Sequence, residues 1–273
     1  MLLLVAVLVV CASADLTAQV VPSETELTAI RSRSQELASR VASLRAKADP
    51  ALTVDVEIYI KASEWALRFP EEFYRKEYAG YALAAAESGL RRVGELENAK
   101  PTWPRARGPV VRAYRSRIDG SVQPYAVVIP RDYDFTTPAR LDVILHGRNA
   151  TLTEASFIAS FESMKAAEAT GPVMQLHVFG RTNNAYRWAG EQDVFEALES
   201  VRARYPIDPS RIVLRGFSMG GAGAWHIGLH HPHLWAAVEA GAGFTETRRY
   251  AKQTALPPHK EAVLPIYDAV STR

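Results

Sequence analysis

One short peptide constrains this 273-residue chain more than any other: Arg211-Ile-Val-Leu-Arg-Gly-Phe-Ser-Met-Gly-Gly221. Ile212, Val213 and Leu214 form an apolar run rich in β-branched residues, the pattern of a strand buried on both faces. The run breaks at Gly216-Phe217-Ser218-Met219-Gly220, and Gly221, Ala222, Gly223 and Ala224 open a helix slender enough to lie against a sheet. A strand that turns so sharply into a helix holds the residue at the turn in a strained conformation and lifts its side chain clear of the sheet. Side chains two residues either side would collide with the turn, and Gly216 and Gly220 carry none. The Ser218 hydroxyl then stands at a helix N-terminus, where free backbone N–H groups receive an oxyanion. A bare G-x-S-x-G arises by chance in about one chain in ten of this length. The strand before and the helix after give this one its weight.

A second strand, Leu141-Asp-Val-Ile-Leu145, ends as abruptly in His146-Gly147-Arg148. If Ser218 is a nucleophile, the N–H of Met219 is one oxyanion donor and that of Gly147 or Arg148 the other, since Gly147 lets the backbone approach a carbonyl closely. His146 reads as a hydrogen-bonding residue that shapes this loop rather than as a general base.

From about Val110 to Phe244 the chain resembles the catalytic domain of the prolyl-oligopeptidase-type (S9-like) serine hydrolases. It is also similar to the secreted esterases of the feruloyl esterase and polyhydroxybutyrate depolymerase kind. The residues that carry the resemblance are His146-Gly147, Tyr205-Pro-Ile-Asp-Pro-Ser-Arg-Ile-Val213, Gly216-Phe-Ser-Met-Gly-Gly221 and His231-Pro-His-Leu-Trp-Ala-Ala237. The resemblance implies an α/β-hydrolase: a doubly wound, mostly parallel sheet with a catalytic triad in the order Ser, acid, His. After Ser218, however, the only Asp is Asp268, and the last His, His259, precedes it. Both lie before the point where two further strands would begin. The triad acid and base are therefore expected to be absent from these residues, and the chain reads as a C-terminally truncated member with its sheet incomplete at that edge. His226 falls about two turns into the helix after Ser218 and points away from the hydroxyl. His230, His231 and His233 gather at that helix's far end, where Pro232 stops it and partial positive charge is favoured. No carboxylate or Cys stands near them in sequence, so no metal site is expected.

The rest of the chain frames this unit. Hydrophobic residues make up 48% and the net charge is +2. No basic stretch is interleaved with aromatics, which argues against a nucleic-acid partner. Residues 1–18 read as a secretory signal, an apolar run to Cys11 followed by small residues and too short to span a membrane. Secretion, or a periplasmic location, follows. A lipoprotein anchor at Cys11, the only cysteine, is disfavoured because Val10 occupies a position that wants a small residue. Residues 19–100 read as three helices. The first is capped by Ser23 with Glu26 and has Leu27, Ile30, Leu37, Val41 and Leu44 on one face. The second carries Val56, Tyr59, Ile60 and Leu67, and the third runs from Phe73 to Leu96. Residues 101–109 read as a linker from their Pro, Gly and charge content. Residues 110–273 then show strand periodicity. Val110–Ile118 and Tyr125–Ile129 are expected as a hairpin across Asp119-Gly120. Strands at 141–145, 173–179, 211–215 and 234–238 alternate with helices at 154–169, 191–203 and 220–229.

Ligands of open α/β sheets sit beyond the carboxyl ends of the strands. The loop Gly180–Gly190 is thus expected on the active-site face, where Arg181, Asn183, Asn184, Tyr186 and Trp188 either grip an acyl group or hold the loop by its own hydrogen bonds. The function these residues point to is hydrolysis of a carboxylic ester or peptide bond through an acyl-enzyme on Ser218, on a small-molecule ester or a peptide and with no cofactor. Two alternatives remain, an acyltransferase of the same fold and an inactive fold retained for binding.

Overall fold

The computed structural model describes residues 20–165, 173–246, 250, 258–262 and 265–266. Residues 1–18, with Cys11, lie outside them, as do Asp268 and the side chain of His259. Three helices come first: α1 (Glu24–Leu44), α2 (Pro50–Arg68) and α3 (Glu77–Glu97). Ser23 caps α1 reciprocally, its Oγ accepting from Glu26 N while its own N–H donates to Glu26 Oε2 at 2.8 Å. Asp49 caps α2 by accepting from Ala51 N, with Pro50 in the first turn where its missing N–H costs nothing. Ile30, Ser34, Leu37 and Val41 form the buried face of α1, and the polar member Ser34 meets the Ser63 hydroxyl. Helix α3 begins later than the apolar pattern suggests, because Pro70–Glu72 forms a 3₁₀ turn and Phe73 is buried in the loop after it. Among the described residues no helix is long and apolar enough to cross a membrane.

The sheet has six strands: β1 (Gly108–Arg115), β2 (Val122–Ile129), β3 (Ala139–Leu145), β4 (Met174–Val178), β5 (Ile207–Phe217) and β6 (Ala237–Gly241), in the order β1-β2-β4-β3-β5-β6. β1/β2 and β2/β4 are antiparallel, and β4/β3, β3/β5 and β5/β6 parallel. Three helices cross between strands: α4 (Glu154–Glu162), α5 (Ala189–Arg204) and α6 (Met219–His230). An antiparallel opening followed by parallel strands with crossover helices is the α/β-hydrolase architecture, here preceded by a helical region. Three expected boundaries move. The hairpin turn takes up Ser116 to Ser121, closed by Gly120 N to Ser116 O, so β1 ends before Ile118 and β2 starts before Tyr125. Helix α4 ends at Glu162. The expected strand at 234–238 shifts to Ala237–Gly241, because Pro232–Leu234 turns as a 3₁₀ segment and Trp235 is buried beside it.

The helices close one edge of the sheet. Asp55 on α2 is fully buried; its Oδ1 accepts the N–H of Ala113 on β1 at 2.9 Å and its Oδ2 accepts Trp103 Nε1 at 3.0 Å. Arg112 pairs with the same carboxylate at 2.9 Å. Burial disfavours the Arg112 cation, but Asp55, with Tyr205 and Tyr125 beside it, offsets this and holds its pKa above the usual guanidinium value. From α3, Arg92 donates to Val111 O at 2.8 Å, and from α5, Arg204 donates to Ala113 O at 3.3 Å. The backbone between helices and sheet is pinned in the same network through Trp103, whose ring lies under the Arg92 guanidinium. Gly108 and Pro109 already belong to β1.

Candidate active site

Strand β5 delivers Ser218 to the turn before α6 with φ 56° and ψ −118°. A side chain rarely adopts this conformation, which costs on the order of 1–3 kcal/mol and persists only where the surroundings impose it. They do so here. The Ser218 N–H donates to Gly241 O at the end of β6 at 2.9 Å. A Cβ on Gly216 would stand 2.1 Å from the Gly220 carbonyl oxygen, and one on Gly220 would stand 2.0 Å from Leu145 O. The glycines that frame the serine in sequence are thus what lets α6 sit directly on the ends of β3 and β5.

Gly147 faces this turn, with the direction of its absent Cβ ending 3.9 Å from Ser218 Cβ. The loop it belongs to is anchored on both sides. His146 N donates to Tyr186 Oη at 2.6 Å, and the two ring nitrogens of His146 meet Gly147 O at 2.8 Å and Phe179 O at 2.9 Å. His146 therefore shapes the loop, and its backbone N–H is already engaged. The N–H groups of Gly147 and Arg148 meet no acceptor among the described residues. That of Met219, the first residue of α6, has no intrahelical acceptor.

The loop after β4 is tied by its side chains mainly to neighbouring segments. Arg181, Thr182, Ala185, Tyr186 and Trp188 all have positive φ, as does Gly180. Arg181 is bound to Asp193 at 3.1 Å and Asp119 at 2.7 Å. Asn183 bridges to Asn149, accepting its N–H and donating to its carbonyl at 2.9 Å each. Asn184 donates to Gly180 O and accepts from Tyr186 N. Tyr186 is fully buried beneath Gly223 and Gly180, its hydroxyl supporting His146. Of the five residues, Asn183 and Trp188 are exposed. Asn183 and Tyr186 thus support the Gly147 loop, through Asn149 and His146.

No histidine among the described residues reaches Ser218, whose Oγ has no hydrogen-bond partner there. His177 meets Gln175 Oε1, and burial pushes its pKa down to about 4. His226 is buried and faces Glu191 Oε2 at 3.1 Å, with His231 on the other oxygen at 2.9 Å. These hydrogen bonds, that of His226 foremost, hold the Glu191 carboxyl below the usual range. Sequence distance hid this carboxylate, which lies on α5 and is brought to the histidines by the fold. Even so, no group of three His, Cys, Asp or Glu suited to a metal ion occurs among the described residues.

Comparison with known proteins places this geometry. Residues 181–265, which hold the elbow, match the model of the prolyl oligopeptidase family. The chain is similar to the prolyl-oligopeptidase-type serine hydrolases. No curated protein matches it in sequence. Solved structures to which it is similar include a fluorophosphonate-binding serine hydrolase of Staphylococcus aureus, substrate bound, at 19% identity and TM-score 0.42, covering 55% of this chain and 63% of that one. Another is the S-formylglutathione hydrolase of Staphylococcus aureus, at 19% identity and TM-score 0.42, with 59% and 67% covered. A third is a ferulic acid esterase, at 20% identity and TM-score 0.43, with 60% and 69% covered. This chain thus spans less than two thirds of the first of these. The sheet topology puts Ser218 at the turn between β5 and α6.

Proposed function

We propose that this protein is an exported serine hydrolase that cleaves a carboxylic ester or peptide bond through an acyl-enzyme on Ser218. The observation that carries the proposal is Ser218 itself, held at φ 56° at the head of α6 with Gly147 against it. Backbone strain of this size persists where the surroundings over-determine it, and it clusters at working sites. In this reading Ser218 Oγ attacks the carbonyl. The N–H of Met219 and that of Gly147 or Arg148 then hold the charge that develops on its oxygen. The engagement of the His146 N–H by Tyr186 leaves Gly147 and Arg148 as the donors on that side. Exposed Phe217 and Trp188 offer apolar surface for an acyl group. Export rests on the apolar run before Cys11 and the small residues after it.

Attack requires a base to take the serine proton, and the described histidines are committed elsewhere. That observation favours a second reading, a hydrolase fold retained for binding. The two part in one experiment. The protein, produced from its own reading frame, is treated with a fluorophosphonate probe and the modified peptide is mapped. The first reading expects label on Ser218 and none on the Ser218→Ala variant. Absence of label on a folded protein would favour the second, and label that survives Ser218→Ala would remove Ser218 from the mechanism. Nitrophenyl esters and peptide amides then separate esterase from peptidase.

A further inference from the structure

A cavity of about 380 Å³ lies where the helical region meets the loops at the carboxyl end of the sheet. Trp65 on α2 and Glu72 and Tyr74 on the turn after it form one wall. Gln123 on β2, Glu154 at the start of α4 and Phe179 after β4 form the other. Ala150 also lines it, and Ala150 is three residues beyond Gly147 in the loop that faces Ser218. An extended chain covers at most about 3.6 Å per residue, so no more than about 11 Å separates the two along that loop. The cavity and the Gly147 turn that faces Ser218 are thus neighbours along one loop.

The cavity's polar groups are unevenly matched. Its two cations are engaged: Lys61 donates to Val122 O and to Glu154 Oε1, and Arg181 is held by Asp119, Asp193 and the Ser116 hydroxyl. Three acceptors are not. The Glu72 carboxyl has no hydrogen bond or ion pair among the described residues. Gln123 and Glu154 are 4% and 8% exposed, and Gln123 Oε1 and Glu154 Oε2 accept no hydrogen bond. The amide orientation of Gln123 is fixed by its neighbour. The single Ser121 hydroxyl proton goes to Asp119, so Ser121 Oγ accepts from Gln123 Nε2 and the carbonyl oxygen is the atom left without a partner. Buried acceptors without donors carry a desolvation cost that a matching donor relieves. A lone carboxylate among them selects a donor that is also a cation. The Trp65 ring already lies under Lys61 and Arg68, so the acceptors rather than that ring hold the charge.

We propose that this cavity is a subsite for an organic cation, an alkylammonium group carried by the substrate, held by Glu72, Gln123 and Glu154 with its alkyl stem against Tyr74 and Phe179. As a substrate subsite it rests on the reading of Ser218 as the reacting residue; as a cation site it stands on its own geometry. Burial first, then the Glu154 and Glu71 carboxylates, raise Glu72 to about 7. Around it stand Glu71 and Tyr74 on its own segment, Lys61 on α2, Glu154 on α4, and the Asp119–Arg181 pair across the cavity. An arriving ammonium group favours the ionised carboxylate, so binding near pH 7 releases protons.

Calorimetric titration of the intact protein with n-butylammonium chloride and with n-butanol tests this without turnover. At pH 8 the ammonium compound binds at least about tenfold more tightly than the alcohol, the worth of one charge-assisted contact. Glu72→Gln removes that preference, while Glu71→Gln on the exposed side of the turn changes affinity by less than about twofold. At pH 7, titrations in buffers of different ionisation enthalpy show proton release that Glu72→Gln abolishes. Ser218→Ala leaves binding unchanged, so failure of probe labelling at Ser218 and failure of the cation site are separate results. Equal binding of alcohol and ammonium, tighter binding of glycerol than of either, or an unchanged affinity in Glu72→Gln overturns the proposal.

Discussion

Along β1 the outward carbonyls of Val111 and Ala113 and the outward N–H of Ala113 meet Arg92, Arg204 and Asp55, whereas β6, at the other end of the sheet, pairs among the described residues with β5 only. An unpaired edge is a template for further strands, and proteins blunt it by covering it, shortening it or charging it. The first edge is covered by side chains of α2, α3 and α5 rather than by another strand. The second is short, five residues, and carries Glu239, paired with Arg215 at 2.7 Å. Beside it Trp225, Leu229 and Val238 remain exposed on α6 and β6. The contrast separates two ways of finishing a sheet. Buried ionised groups fix a partner's position and fail badly if one is lost, while an exposed charge blocks pairing and contributes little to stability.

The largest expected effect falls on the covered edge. Asp55→Ala leaves Arg112 buried without its counter-ion and strips Ala113 N and Trp103 Nε1 of their acceptor. Urea unfolding should show a loss of about 3–5 kcal/mol. Asp55→Asn, which keeps an acceptor but not the charge, should lose less. Equal stability in all three proteins would show that the helical region does not hold the edge. At the centre of the sheet, Ser218→Gly should be about 1 kcal/mol more stable than Ser218→Ala, because glycine adopts φ 56° without strain. A less stable glycine variant would mean that the turn is relaxed.

Smaller effects follow from pH and from the open edge. The folded-state pKa of Glu72 is raised, so its contribution is fully present below the unfolded value of 4.5 and is lost as pH rises through about 7. Glu72→Gln should therefore match wild type at pH 4.5 and exceed it at pH 8 in thermal melts. A constant difference across that window would contradict the assignment. Smallest of all, Glu239→Val should change unfolding free energy by less than about 0.5 kcal/mol. It should nevertheless increase concentration-dependent association in sedimentation, since it removes the charge that guards the edge.

Much of the fold was legible where local signals and tertiary demands coincide. The Ser23 capping box and the β5–α6 elbow need only neighbouring residues, and each lies where its pattern placed it. Leu234 was not so legible, because apolar character alone does not distinguish a strand from a 3₁₀ turn begun by Pro232. The union of helices and sheet left a signal that went unread. Asp55 sits in Thr53-Val-Asp-Val56, a charge within an apolar helix face, and Arg112 in Val110-Val-Arg-Ala113, a charge within an apolar strand. Two such misfits of opposite sign need each other in a buried setting. At the candidate site the serine and its glycines were visible in sequence. The work of Tyr186 and Asn183 as supports, and the meeting of Glu191 with His226 and His231, depend on contacts between distant segments.

The Asp55 network also sets an order of assembly. Helices α1 to α3 precede the sheet in the chain and make their contacts locally, so they collapse early and cheaply in loop-closure entropy. Their finished face carries Asp55 and Arg92 still hydrated, a dock that β1 dries when it arrives with Arg112. Growth of the sheet then runs from that dock toward β5. The strained turn at Ser218 waits longest, since its N–H has no acceptor until β6 brings in Gly241. In pulsed hydrogen exchange during refolding, the amide of Ala113 is expected to gain protection before that of Ser218. Early protection at Ser218 would instead show that β6 pairs before the helical dock is complete.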